Sequence, residues 1–161
     1  MRVVPVGYEA SVQIMVVLSL PRDEETIPVS RHIAVAAMSE IGVTEDCTHD
    51  IAVALTEACT NVLKHSGPGD EFEVSLEVDE DGCVIRVIDT GHGFDSKSLG
   101  LSHADTSAEQ GRGIELMRAL VDTVKFISKP EAGTIVHLEK TLAYEEGSFV
   151  SRKKAASDGR R

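Results

Sequence analysis

The chain has 161 residues, of which 27% are charged and 42% hydrophobic, the size and balance of one globular domain that buries a single core without disulfide or metal staples. A formal net charge of −11 argues against direct nucleic-acid binding, because phosphate backbones are held by Lys and Arg. No apolar run approaches the roughly 18 residues that span a membrane, and the N-terminus lacks the pattern of a secretory signal, so the sequence predicts a cytoplasmic protein with no membrane contact.

Residues 1–9 read as an N-terminal extension to one domain over 10–142. Val12, Ile14, Val16, Leu18 and Leu20 alternate as a first strand stopped by Pro21. A helical pattern follows from about Thr26 to Ile41, with Pro28 in its first turn and Gly42 at its end. Thr44 is placed to cap a second helix, with Glu45 and Asp46 in its first turn, running to about Ser66 before Gly67-Pro68-Gly69. The odd cysteines Cys47, Cys59 and Cys83 lack the paired spacing of a zinc site or disulfide framework and read as small buried side chains.

Phe72, Val74, Leu76 and Val78 alternate with Glu71, Glu73, Ser75 and Glu77, predicting a strand with one wet face, and Asp81-Gly82 turns it into a hairpin partner from Cys83 to Asp89. The polar stretch from Thr90 to Gln110 is too long for a simple turn and reads as a functional loop. A third helix is expected over about Gly113 to Thr123, with Ile114, Met117, Leu120 and Val121 on one side, then strands near Val124–Ser128 and Thr134–Leu142. The architecture this order predicts is a two-layer α+β sandwich, with about three helices on one face of a mixed, mostly antiparallel sheet. In the last eleven residues Arg152, Lys153, Lys154, Arg160 and Arg161 stand against one acid, Asp158, and residues 143–161 read as a disordered basic tail.

Three segments carry chemistry. On the second helix, at about 100° per residue with Glu57 at zero, Asn61 falls near 40°, His65 near 80°, Lys64 near 340° and Asp50 near 20°. The opposite arc holds Ile51, Leu55, Ala58, Cys59 and Val62. This polar stripe is either a solvated face or an arrangement that handles metal and protons. Asp89 ends an apolar strand, where a carboxylate is costly to bury without a donor, and Gly91 and Gly93 follow it. It fits a turn start or a partner for an amine. Gly111-Arg112-Gly113 at a helix start would expose backbone N–H groups to phosphate, although alone it is a weak signal, and Leu116 at the third glycine position excludes a Rossmann fingerprint.

In order and spacing these segments resemble the ATP-binding fold shared by gyrase and histidine kinases, called GHKL or Bergerat. Glu57, Asn61 and His65 resemble its N-box, Asp89 to Gly93 its DxGxG box, Gly111 to Gly113 its second glycine box, and Gly133-Thr134 its late GT pair. Within that superfamily the chain is most similar to the anti-sigma-factor serine/threonine kinases of bacterial partner-switching systems. Arg31 matches a position where those kinases carry a partner-contacting arginine.

The resemblance implies ATP and Mg²⁺ as cofactors, with Asn61 holding the metal and Asp89 reading the adenine amine beside Gly91, Gly93 and Thr134. It further implies phosphate contacts from Gly111, Arg112, Gly113, Lys64 and His65, and Glu57 as the general base. The implied partners are a sigma factor and an anti-anti-sigma STAS protein phosphorylated on serine or threonine, with homodimerisation left open. Three other readings stand beside it: a kinase acting on an antagonist without a sigma factor, an ATP-binding module that transfers no phosphate, and a detached histidine-kinase catalytic domain.

Overall fold

Alternating apolar residues give β1 (Gln13–Pro21) an inward side of Ile14, Val16, Leu18 and Leu20, while Met15 and Val17 stay exposed. Pro21 is the last paired residue, opposite Glu71, and is tolerated there because β1 is an edge strand. The computed structural model describes residues 12–65, 70–89, 108–129 and 133–159. Asp23 caps a 3₁₀ turn (Glu24–Thr26), its carboxylate accepting from the Glu25 N–H at 2.9 Å, and α1 (Ile27–Glu40) follows with Pro28 in its first turn. In α2 (Glu45–His65) the expected cap is present, Thr44 Oγ1 accepting from the Cys47 N–H at 3.4 Å. The α2 core face is Ile51, Leu55, Ala58, Cys59 and Val62.

The hairpin of β2 (Glu71–Asp79) and β3 (Gly82–Asp89) closes on Asp79, whose Oδ1 accepts from the N–H groups of Asp81 and Gly82, both at 2.8 Å. After α3 (Ala108–Leu120), β4 (Thr123–Lys129) and β5 (Gly133–Thr141) complete a five-stranded sheet among the described residues. Its order is β1-β2-β3-β5-β4 and every neighbouring pair is antiparallel, which resolves the mixed-or-antiparallel expectation.

The register stacks the core in rows across the sheet: Val16, Leu76, Ile85, Leu138 and Val124 in one, Leu18, Val74, Val87, Val136 and Phe126 in the next. α1, α2 and α3 pack on this face, giving the expected two-layer α+β architecture. Each fully buried Leu, Ile or Val contributes about 1.5–3 kcal/mol through burial. The last row to cross all five strands is Leu20, Phe72, Asp89, Thr134 and Ser128. Just past it, Arg22 Nη2 donates to the carbonyls of Val62 at 3.3 Å and Leu63 at 3.1 Å, joining that end of the sheet to the last turns of α2.

Two expectations are corrected. The third helix runs from Ala108 to Leu120 rather than from Gly113 to Thr123. Ala108, Glu109 and Gln110 are good helix formers and extend it at the front. At the back, Asp122 leaves the helix for β5, its N–H donating to Glu139 O at 2.9 Å and its carboxylate accepting from the Thr141 N–H at 2.5 Å. That amide holds the Asp122 carboxyl below its ordinary pKa.

The second correction concerns the tail, since Phe149–Asp158 forms a helix, α4, capped by Ser148 Oγ accepting from the Ser151 N–H at 3.2 Å. The segment leading to it is tied to the domain: Thr44 N–H donates to Ala143 O at 2.9 Å, Glu145 N–H to Gly42 O at 2.7 Å, and Tyr144 Oη to Asp79 O at 2.6 Å. Val150 is fully buried, and Lys154 pairs with Asp81 at 3.1 Å. The basic composition concealed one apolar anchor and a good cap. Arg160 and Arg161 lie outside the described residues.

Gly42 sits where this segment crosses the α1–α2 turn, at φ +86°, and a methyl group there would stand 2.3 Å from Ser148 Cβ. Gly42→Ala is expected to cost about 1–3 kcal/mol from overpacking and left-handed strain. Urea unfolding should show a lower midpoint at unchanged slope; an unchanged midpoint refutes the packing argument.

Candidate active site

The period of β3 decides where its carboxylate goes. Cys83, Ile85 and Val87 face the helices, so Asp89, two residues on, faces them too, and it is fully buried. Across the ladder it is paired with Phe72 on one side and Thr134 on the other, the latter 5% exposed. Burial of a carboxylate among these neighbours requires interactions that stabilise it. Asp89 has other interactions, and its Oδ2 accepts no hydrogen bond from the described residues. The strand-end Asp and the late Thr, far apart in sequence, thus meet at one point of the sheet. Gly91 and Gly93 lie outside the described residues.

Glu57 and Asn61 are half-buried on α2 and Lys64 is exposed. His65 is the last residue of the helix, and its side chain lies outside the described part of the structure. The stripe is therefore neither core nor fully solvated. Glu57 points at α3: a methyl group added at Gly113 would stand 2.7 Å from Glu57 Oε2, so the absence of a side chain at Gly113 makes room for that carboxylate. This joins the first and third motifs directly.

The glycine pair does not open its helix. Gly111 and Gly113 lie in α3 after Ala108 to Gln110, Gly111 faces open space, and Arg112 is exposed. Arg31 is half-buried on α1, flanked in sequence by buried Ser30 and exposed His32. Cys59, within the α2 motif, is excluded as a nucleophile because burial pushes its thiol up to about 12.

No group of three His, Cys, Asp or Glu side chains among the described residues is arranged to hold a metal. The Asn61 amide is a hard oxygen donor on the stripe, which suits Mg²⁺ only as one ligand among phosphates and waters.

Two residues that sequence patterns did not single out support this site. Arg22 binds the last carbonyls of α2, as above. Lys140 reaches from β5 to Asp50 Oδ2 at 3.1 Å and to the Leu120 carbonyl at 2.7 Å. A signal for it does exist in the sequence: Val136, Leu138 and Lys140 share one phase of β5, so the lysine occupies a core-facing position.

Comparison with known proteins adds to this geometry. Residues 20–140 match the family described as histidine kinase-like ATPase domain. Among curated relatives, the chain is 30% identical over 138 residues to serine-protein kinase RsbW of Halalkalibacterium halodurans, covering 80% of this chain and 84% of the relative. Serine-protein kinases RsbW of Bacillus velezensis and Bacillus subtilis are 32% and 31% identical over 136 residues, in each case covering 78% of this chain and 84% of the relative. Among solved structures, the RsbU and RsbW domains of a Mycobacterium tuberculosis protein align with a TM-score of 0.63 at 18% identity, over 82% of this chain and 33% of that one, a likeness of fold.

Proposed function

Because the chain belongs to the histidine kinase-like ATPase domain family, we propose that it binds Mg²⁺-ATP at the Asp89 end of the sheet and transfers the γ-phosphoryl group to a serine or threonine of a partner protein. The observation that carries this reading is the Glu57 carboxylate held against Gly113, one turn before Asn61 on α2. The serine-protein kinase names of its relatives support it.

Buried Asp89 accepts from the adenine amine, with Thr134 beside it. Asn61 offers its amide oxygen to Mg²⁺, which when bound neutralises phosphate charge. Lys64, His65 and Arg112 supply cations to the phosphates, and Gly91 and Gly93 backbone N–H groups. Glu57 takes the proton from the partner's hydroxyl as its oxygen attacks the γ-phosphorus and ADP leaves. Phosphoryl transfer needs mainly position and charge, so one carboxylate beside a metal site suffices. In the reading closest to the sequence resemblance, the protein is an anti-sigma switch: it binds a sigma factor in one state and phosphorylates an anti-anti-sigma STAS protein in another, with Arg31 on the contacting surface.

Incubation with γ-labelled ATP and STAS-domain proteins tests the reading. An acid-stable phosphoprotein is expected, and Glu57→Gln should keep ATP affinity within about twofold while slowing transfer about 10²–10⁴-fold. An acid-labile product points to a detached histidine-kinase domain, and saturable ATP binding without transfer to a binding module.

A further inference from the structure

Lys140 occupies a place where the fold has little use for a charge. It lies on the helix-facing side of β5, in the row that continues Ile14, Val78 and Cys83, of which Val78 and Cys83 are buried. Its side chain is 15% exposed. An ammonium there carries a desolvation cost that only good partners offset. Its two partners belong to different helices: Asp50 on α2 and the Leu120 carbonyl at the C-terminal end of α3.

The spacing of these contacts relates them to the site. Asp50 precedes Glu57 by seven residues on the same stripe of α2, and Gly113 precedes Leu120 by seven residues on α3. The two helices therefore meet at two rungs, Glu57 with Gly113 at one end and Asp50 with Leu120 through Lys140 at the other. Two helical turns, about 10 Å, separate the rungs. A rigid helix held at one rung is fixed in register at the other.

We infer that Lys140 is a positioning residue for the proposed phosphoryl transfer: it sets the register of α3 against α2 and so places the Glu57 carboxylate beside Gly113. The inference rests on the kinase reading for its kinetic consequence and on the two rungs for its structural one. Lys140 touches no reacting atom; it acts through α3.

The test measures single-turnover transfer from ATP to the STAS substrate found by the labelling experiment, together with ATP affinity and the amide NMR resonance of Gly113, on the full chain. Lys140→Met is expected to slow transfer about tenfold or more, leave ATP affinity within about twofold and move the Gly113 resonance, with Lys140→Arg restoring most of the rate. Asp50→Asn, which keeps the shape and removes one charge, should act in the same direction with a smaller loss and serves if Lys140→Met does not fold. Added to Gly113→Ala, the Lys140→Met change should slow transfer by less than about twofold more, since both act on one contact. An unchanged rate, a loss additive with Gly113→Ala, or an effect confined to the unfolding midpoint overturns the inference. If the unsubstituted chain transfers no phosphate, the kinase reading falls and the Gly113 resonance in Lys140→Met alone decides: a shift upholds the clamp, and no shift overturns it.

Discussion

Asp89→Asn is expected to reduce ATP affinity by at least about 100-fold while leaving the fold in place, because a lost hydrogen bond to a buried charged group and the unpaired donor left behind together exceed about 3 kcal/mol. The replacement is nearly isosteric, so Phe72 and Thr134 keep their neighbour across the ladder. What changes is the donor and acceptor pattern: an amide that presents NH₂ to an amine sets donor against donor. Rotating the amide to offer its oxygen turns the NH₂ toward the other side of a fully buried site. Thermal unfolding should move by only a few degrees, which separates a binding defect from a folding one. Calorimetric titration with Mg²⁺-ATP reads the effect, and an affinity within about threefold of the unsubstituted chain removes Asp89 from the site.

Gly113→Ala pulls stability and activity in opposite directions. Alanine is better than glycine in a helix interior by about 0.8–1.0 kcal/mol, and α3 should gain from it. The added methyl, however, falls 2.7 Å from Glu57 Oε2. The carboxylate is the end of a flexible side chain, so it swings aside at little cost in stability, and its position is what is lost. Transfer should slow about 100-fold, as expected of a base displaced by about 1 Å, with ATP affinity within about threefold and an unfolding midpoint equal or higher. Turnover within about twofold of the unsubstituted chain disposes of the contact as a catalytic constraint; a large fall in stability shows that Glu57 cannot yield as described.

Much of the fold, and of where the candidate site residues lie in it, is legible in the sequence alone, for reasons that differ from residue to residue. Period two places Asp89 on the inner side of β3 without further information, because Cys83, Ile85 and Val87 leave it no other side. The 3.6-residue period separates the Glu57 stripe from the Ile51 to Val62 face in the same way. The start of α3 is hard to read, since glycines at 111 and 113 are poor helix formers and interrupt the favourable run of Ala108, Glu109 and Gln110, while packing on α2 holds the helix together. Residues 149–158 mislead because charge dominates their composition, whereas one capping hydroxyl and one buried valine decide their structure. The roles of Arg22 and Lys140 depend on which carbonyls end α2 and α3 in space, a relation between distant segments that no local pattern encodes.

The bond from Arg22 to the end of α2 bears on the charge of the site itself. Asn61, Lys64 and His65 stand in the last turns of a 21-residue helix, the end that carries about half a negative charge from the aligned peptide dipoles. A triphosphate approaching it meets repulsion, the reverse of the usual case in which anions rest on a helix start. Arg22 brings a permanently protonated guanidinium onto the carbonyls of Val62 and Leu63, so the negative pole is countered by a residue that the edge strand delivers. In the proposed kinase this guanidinium adds to the cations of Lys64, His65 and Arg112, so an acidic protein can seat an anion at the unfavourable end of a helix.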